Sequence, residues 1–102
     1  MVDWQRVRML KDEIGEEDFA EVAALFISEI DDVIARLKSA PEPDRLEHDL
    51  HFMKSSALNL GFSRLAALCQ EGERRAADGA ADIDLAPIFT AYAASKTAFL
   101  AG

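Results

Sequence analysis

Apolar side chains recur at every third or fourth position through most of the chain, in blocks cut apart by glycine and proline. Phe19, Val22, Phe26, Ile30, Val33 and Leu37 make one seam, and Leu46, Leu50, Met53, Ala57 and Leu60 make another. That spacing is the period of an α-helix with one buried face. No stretch alternates with the period of two that a half-buried strand requires. The breaks fall at Gly15, Pro41-Glu42-Pro43, Gly61 and Asp78-Gly79. Each is a helix terminator, because proline removes a donor and glycine accepts the left-handed turn that ends a helix.

Five helical segments follow. The first runs from Asp3, its cap, to Ile14, with Trp4, Val7, Leu10 and Ile14 on one face. The second runs from Glu16 to about Lys38. Its acidic start (Glu16, Glu17, Asp18, Glu21) and basic end (Arg36, Lys38) complement the helix dipole. The third runs from about Asp44 to Leu60. The fourth runs from Ser63, read as its cap, to about Ala77, with Leu65, Leu68, Cys69 and Ala76 inward. The fifth starts near Asp82 or Asp84 and reaches Leu100. It carries Pro87 in its first turn, where a missing N–H costs little, and presents Leu85, Phe89, Tyr92 and Phe99 to the core. Four long helices joined by short turns predict an all-α fold: an antiparallel up-down four-helix bundle with the short first helix as a lid over one end. Residues 1–102 are read as one domain, since 102 residues support a single core.

Composition narrows the function. A net charge of −8 disfavours nucleic acid and anionic membranes as partners and leaves another protein as the expectation. No apolar run approaches the roughly 18 residues that span a bilayer, and Met1-Val2-Asp3-Trp4 does not open a signal peptide. Cys69 is the only cysteine, so an internal disulfide is excluded and a reducing cytoplasm is expected. Its phase with Leu65 and Leu68 makes it a core residue.

The chemistry gathers on the third helix. Glu47, His51, Lys54, Ser55 and Leu58 share one stripe, about a quarter-turn from the apolar one. An outward imidazole with a cation one turn away and little bulk beside it suits the handling of a phosphoryl group. Ser55 and Ser56 lack the elbow and the base that a hydrolase serine needs. Glu47, His48 and His51 form an incomplete ligand set for a metal, and none is expected.

His51, Met53, Lys54, Ser56, Leu60 and Gly61 together resemble the signature of histidine-containing phosphotransfer (HPt) domains. That signature is a histidine, an apolar residue at +2, lysine at +3, small residues, then an apolar residue and glycine at +9 and +10. Leu65, Leu68 and Cys69 are similar to the family's next helix, and Trp4 to Ile14 to its leading helix. The resemblance covers nearly the whole chain, although only His51 to Gly61 is specific. The family usually places glycine at +4, where this chain has Ser55. Serine is the next-smallest polar choice, and its hydroxyl could donate to a phosphate oxygen.

The resemblance implies a phosphorelay shuttle. His51 would accept a phosphoryl group from a receiver-domain aspartate, through Nε2 of the neutral ring, and pass it to another receiver. An unperturbed imidazole has a pKa of about 6.5, so the neutral form is available. Lys54 would neutralise phosphate charge, Ser55 would leave room beside it, and Glu73, on the next helix, would orient the imidazole. The implied partners are response-regulator receiver domains or a hybrid histidine kinase. The chain is expected to be a stand-alone monomer without its own kinase activity or cofactor, with Mg²⁺ supplied by the receiver. Phe19, Val22, His48 and Leu58 are the expected docking residues, with Asp18 and Met9 near them. Leu58 is singled out as a large apolar side chain on a polar stripe. His48-Asp49-Leu50 faintly resembles the acceptor box of histidine kinase dimerisation helices, but the chain has no nucleotide-binding loop to accompany it. The rival reading is a helical adaptor that docks receivers without chemistry.

Overall fold

The computed structural model describes residues 2–80 and 82–102. Five α-helices follow one another: α1 (Trp4–Ile14), α2 (Glu16–Ser39), α3 (Leu46–Leu60), α4 (Ser63–Ala77) and α5 (Ala86–Ala101). A short 3-10 turn, Pro43–Arg45, leads into α3. Among the described residues the only β-type pairing is an isolated bridge between Val2 and Phe62. The four long helices form an antiparallel up-down bundle of 41 × 22 × 20 Å.

Local chemistry sets the helix ends. Asp3 caps α1 by accepting from the backbone N–H of Gln5 and Arg6. Gly15 then turns the chain at φ +84° and starts α2 without a capping side chain. Asp84 accepts from Ala86 N–H at 3.0 Å and starts α5, with Pro87 in the first turn. Phe62, not Ser63, occupies the position before α4, so the serine is that helix's first residue rather than its cap.

The α3–α4 turn organises the molecule. Gly61 adopts φ +76°, and a Cβ there would lie 2.5 Å from the Asp3 carbonyl oxygen. Glycine is therefore required by both the backbone angle and the close approach. Phe62 N–H donates to Ala57 O and Gly61 N–H to Leu58 O, which satisfies carbonyls that the end of α3 leaves free. Asp3 N–H donates to Gly61 O at 2.6 Å, pinning α1 to this end of the bundle. The side chain of Arg6 reinforces the pin through Leu58 O and Asn59 Oδ1. The short helix thus closes the end where α3 turns into α4.

The core follows the expected periodicity on α3 and departs from it in part elsewhere. On α4, Leu65 and Cys69 are buried with Ala66 and Gly72, while Leu68 and Ala76 are only partly so. On α1, Trp4 is exposed. All five residues of the α3 stripe (Leu46, Leu50, Met53, Ala57, Leu60) are buried. On α2 the buried line is Ala23, Ile27, Ile30, Ile34 and Leu37, with Phe19, Phe26 and Val33 only partly buried. The buried line shares Ile30 and Leu37 with the expected seam and is rotated from it toward Ala23, Ile27 and Ile34. On α5, Tyr92 is buried as expected, while Ile88, Ala91 and Ser95 join it and Leu85, Phe89 and Phe99 sit at the margin. Phe62 is fully buried and packs against the rings of Tyr92 and Phe99. Tyr92 also ties α5 back to α2: its hydroxyl donates to Asp31 Oδ1 at 2.6 Å. Burial and that carboxylate push the phenol well above its ordinary range.

Candidate functional site

His51 stands midway along α3, on the face opposite the buried stripe, and its side chain is 59% exposed. The ring is nevertheless anchored. Its Nδ1 lies 2.8 Å from Glu73 Oε2 on the neighbouring helix α4. The other carboxylate oxygen, Oε1, lies 2.8 Å from Lys54 Nζ. One carboxylate therefore bridges the imidazole and the ammonium that the sequence places one turn apart. Oε1 is buried and takes no well-aligned hydrogen bond, so the Lys54 contact is an ion pair that compensates it by charge. The Lys54 ammonium, against the opposing effect of burial and with a further contribution from the His51 ring, holds the Glu73 carboxyl below its usual range.

With Nδ1 facing a carboxylate, the neutral ring keeps its proton there and presents the Nε2 lone pair to solvent. Lys54 is less open than its stripe suggests: its side chain is 22% exposed, drawn toward α4 by Glu73. Ser55 and His48 are exposed, one turn either side of the imidazole. Asp44, Glu47, His48, His51 and Glu73 line a shallow hollow around the ring. Among the described residues, no group of three or more His, Cys, Asp and Glu is arranged to hold a metal ion.

Leu58 is 54% exposed and lines a second hollow with Asp3, Arg6, Gly61 and Ser63, where the first helix meets the α3–α4 turn. Met9 is also exposed. Val22 is half-buried. Phe19 is turned inward, tilted against Phe99 with Lys11 Nζ 5.0 Å over its ring, so much of it is already covered.

Sequence reasoning passed over the group that fixes the histidine helix. Asp49, two residues before His51, is buried and takes two hydrogen bonds from the Arg36 guanidinium of α2, at 2.6 and 2.9 Å. The signal was present, since Asp49 lies three residues after Leu46 and four before Met53, inside the core phase. Such a bidentate pair holds α3 against α2 in both rotation and register. Cys69 is fully buried as expected, and its thiol is pushed up to about 12, by burial first and then by the charge of Glu73.

The family model for the Hpt domain matches residues 21–98, from the first turns of α2 almost to the end of α5. The chain belongs to the Hpt domain family. This Hpt domain is also 32% identical, over 81 residues, to a phosphorelay protein named LuxU from Vibrio cholerae serotype O1. That alignment spans 76% of the present chain and 72% of the relative. No solved structure gives a significant match. An Hpt domain is a phosphotransfer module of two-component phosphorelays, and receiver domains and their kinases are the partners that this membership implies. No helix among the described residues is long and apolar enough to cross a membrane.

Proposed function

We propose that His51 Nε2 is the phosphoryl acceptor. The observation that carries this reading is the carboxylate of Glu73 on Nδ1 while the opposite edge of the ring stands in solvent. In the forward step the Nε2 lone pair attacks the phosphorus of a receiver's aspartyl phosphate. The N–P bond forms as the P–O bond to the aspartate breaks, and the aspartate leaves as a carboxylate. The ring keeps its Nδ1 proton and becomes cationic, and Glu73 stabilises that charge. The reverse step on a second receiver returns the ring to neutral.

The transition state is loose, so its cost lies mainly in positioning and in charge. Lys54 is placed to turn part of its charge toward the equatorial oxygens, and exposed Ser55 leaves room beside them. Asp44, Glu47 and Glu73 make the hollow around the ring acidic. Such a rim repels a free anion and favours a phosphoryl group that arrives with a compensating cation. That supports a receiver that brings Mg²⁺ with the phosphoryl group; on this reading the chain itself carries no cofactor and no kinase activity. The relay is a monomer in the cytoplasm, docked through Leu58, His48, Val22 and the uncovered edge of Phe19. A pure adaptor is not favoured, since docking alone gives no reason to fix the ring nitrogen.

The test is incubation with a phosphorylated receiver, followed by mass spectrometry under alkaline conditions. His51→Gln should abolish the acid-labile adduct with unchanged helical circular dichroism, and His48→Gln should retain it. Loss of the adduct in His48→Gln alone would overturn the assignment.

A further inference from the structure

Gly72 lies in the interior of α4 and is buried. A Cβ built on it would stand 2.9 Å from Leu50 Cδ1, with Ile88 Cδ1 at 3.8 Å and Ile83 Cγ2 at 4.0 Å. Its φ is ordinary for a helix, so no backbone angle asks for glycine here. Glycine in a helix interior is disfavoured by about 1 kcal/mol relative to alanine. What the missing side chain permits is contact: Leu50, fully buried, seats its methyl against the bare backbone of α4.

The neighbours of these two residues give the contact its meaning. Leu50 precedes His51 on α3, and Gly72 precedes Glu73 on α4. The Leu50–Gly72 contact therefore adjoins, by one residue on each helix, the hydrogen bond that fixes the imidazole. We infer that Gly72 is a positioning residue for phosphoryl transfer, setting the α3–α4 separation at which Glu73 Oε2 reaches His51 Nδ1. A hydrogen bond of 2.8 Å has little slack, since N–H···O contacts fade beyond about 3.2 Å. A methyl group at residue 72 has to displace Leu50 or push the helices apart. Leu50 is fully buried, so its terminal methyl has little room to turn aside, and separating the helices loosens the partner of Nδ1. Released from Glu73, a neutral solvated imidazole prefers its proton on Nε2, the atom that must attack.

The inference rests on the acceptor reading above, but its primary measurement does not require transfer. Nitrogen-15 shifts of the His51 ring, recorded at a pH of about 8.5 where an ordinary imidazole is neutral, report which nitrogen holds the proton. The wild-type protein should show the proton on Nδ1. Gly72→Ala should stay helical and move the population toward the Nε2–H form, as should Glu73→Ala, which removes the acceptor outright. Leu50→Val removes the Cδ1 that the added methyl group would strike. The double variant Gly72→Ala/Leu50→Val should therefore recover the Nδ1–H signal, a rescue that a general loss of stability would not give. Transfer from a phosphorylated receiver should fall in Gly72→Ala by about 10-fold, short of the roughly 100-fold that an ångström of misplacement can cost. A folded Gly72→Ala with the wild-type tautomer would overturn the inference, as would failure of the double variant to recover the signal. A shifted tautomer with unchanged transfer would leave the spacing role standing and defeat the assignment of Nε2 as acceptor.

Discussion

At the scale of single residues, Glu73 is the group on which the site turns, because it serves two neighbours at once. Lys54→Ala would leave Oε1 buried beside no cation. The expected outcome is a stability loss of about 1–2 kcal/mol in denaturant titration, together with a roughly 10- to 100-fold slower transfer from a receiver. Unchanged transfer would mean that the receiver supplies all the charge stabilisation. Acid titration reads the same contacts. Because Glu73 is held below its ordinary range in the folded protein, its contribution is fully present above about pH 4.3, the unfolded carboxylate value, and is lost as pH falls through the lower folded value. Glu73→Gln should therefore lower the melting temperature at neutral pH and flatten part of its decline on acidification. His51, Lys54 and the outward stripe were legible because helical period alone sorts them from the core. The bridge between them was legible only as a family likeness, since no local pattern tells where a residue 22 positions away will point.

At the scale of elements, the helices were readable and their rotations less so. Period and terminators locate α1 to α4 within a residue or two, while α5 starts at Ala86, two residues past the nearer of its two expected starts. The phase of α2 needs its neighbours, because small Ala23 and large Phe26 carry opposite weights in sequence and in packing. Phe62 could have been found from Gly61, since the residue after a left-handed helix end commonly packs back on the last turn. The surface of α3 is testable through Leu58. Its 54% exposure means that Leu58→Glu opens no cavity. The expected outcome is weaker receiver binding by calorimetry with a melting temperature within about 2 °C of wild type, the scale of a surface substitution below 0.5 kcal/mol. A drop of many degrees would place the side chain in a packed interface instead.

At the scale of the whole molecule, the charge of −8 on 102 residues works against compactness. Raising ionic strength from about 0.01 to 0.15 M shortens the screening length from about 30 to 8 Å. Self-repulsion is then damped more than the short pairs at Arg36–Asp49 and Lys54–Glu73, and the melting temperature should rise. A fall would show that the internal ion pairs outweigh the net charge.

The pair between part-exposed Arg36 and buried Asp49 also sets the terms of an encounter. It clamps α3 two residues before His51, and the Asp3–Gly61 bond clamps the same helix ten residues after it. Two such fixed points oppose sliding and rolling of the helix when a receiver arrives. Recognition is then a search over orientation rather than over shape, with the conformational adjustment left to the incoming partner. Partners of differing build would meet an unchanging nucleophile, and their rates would separate by how quickly each finds the approach angle.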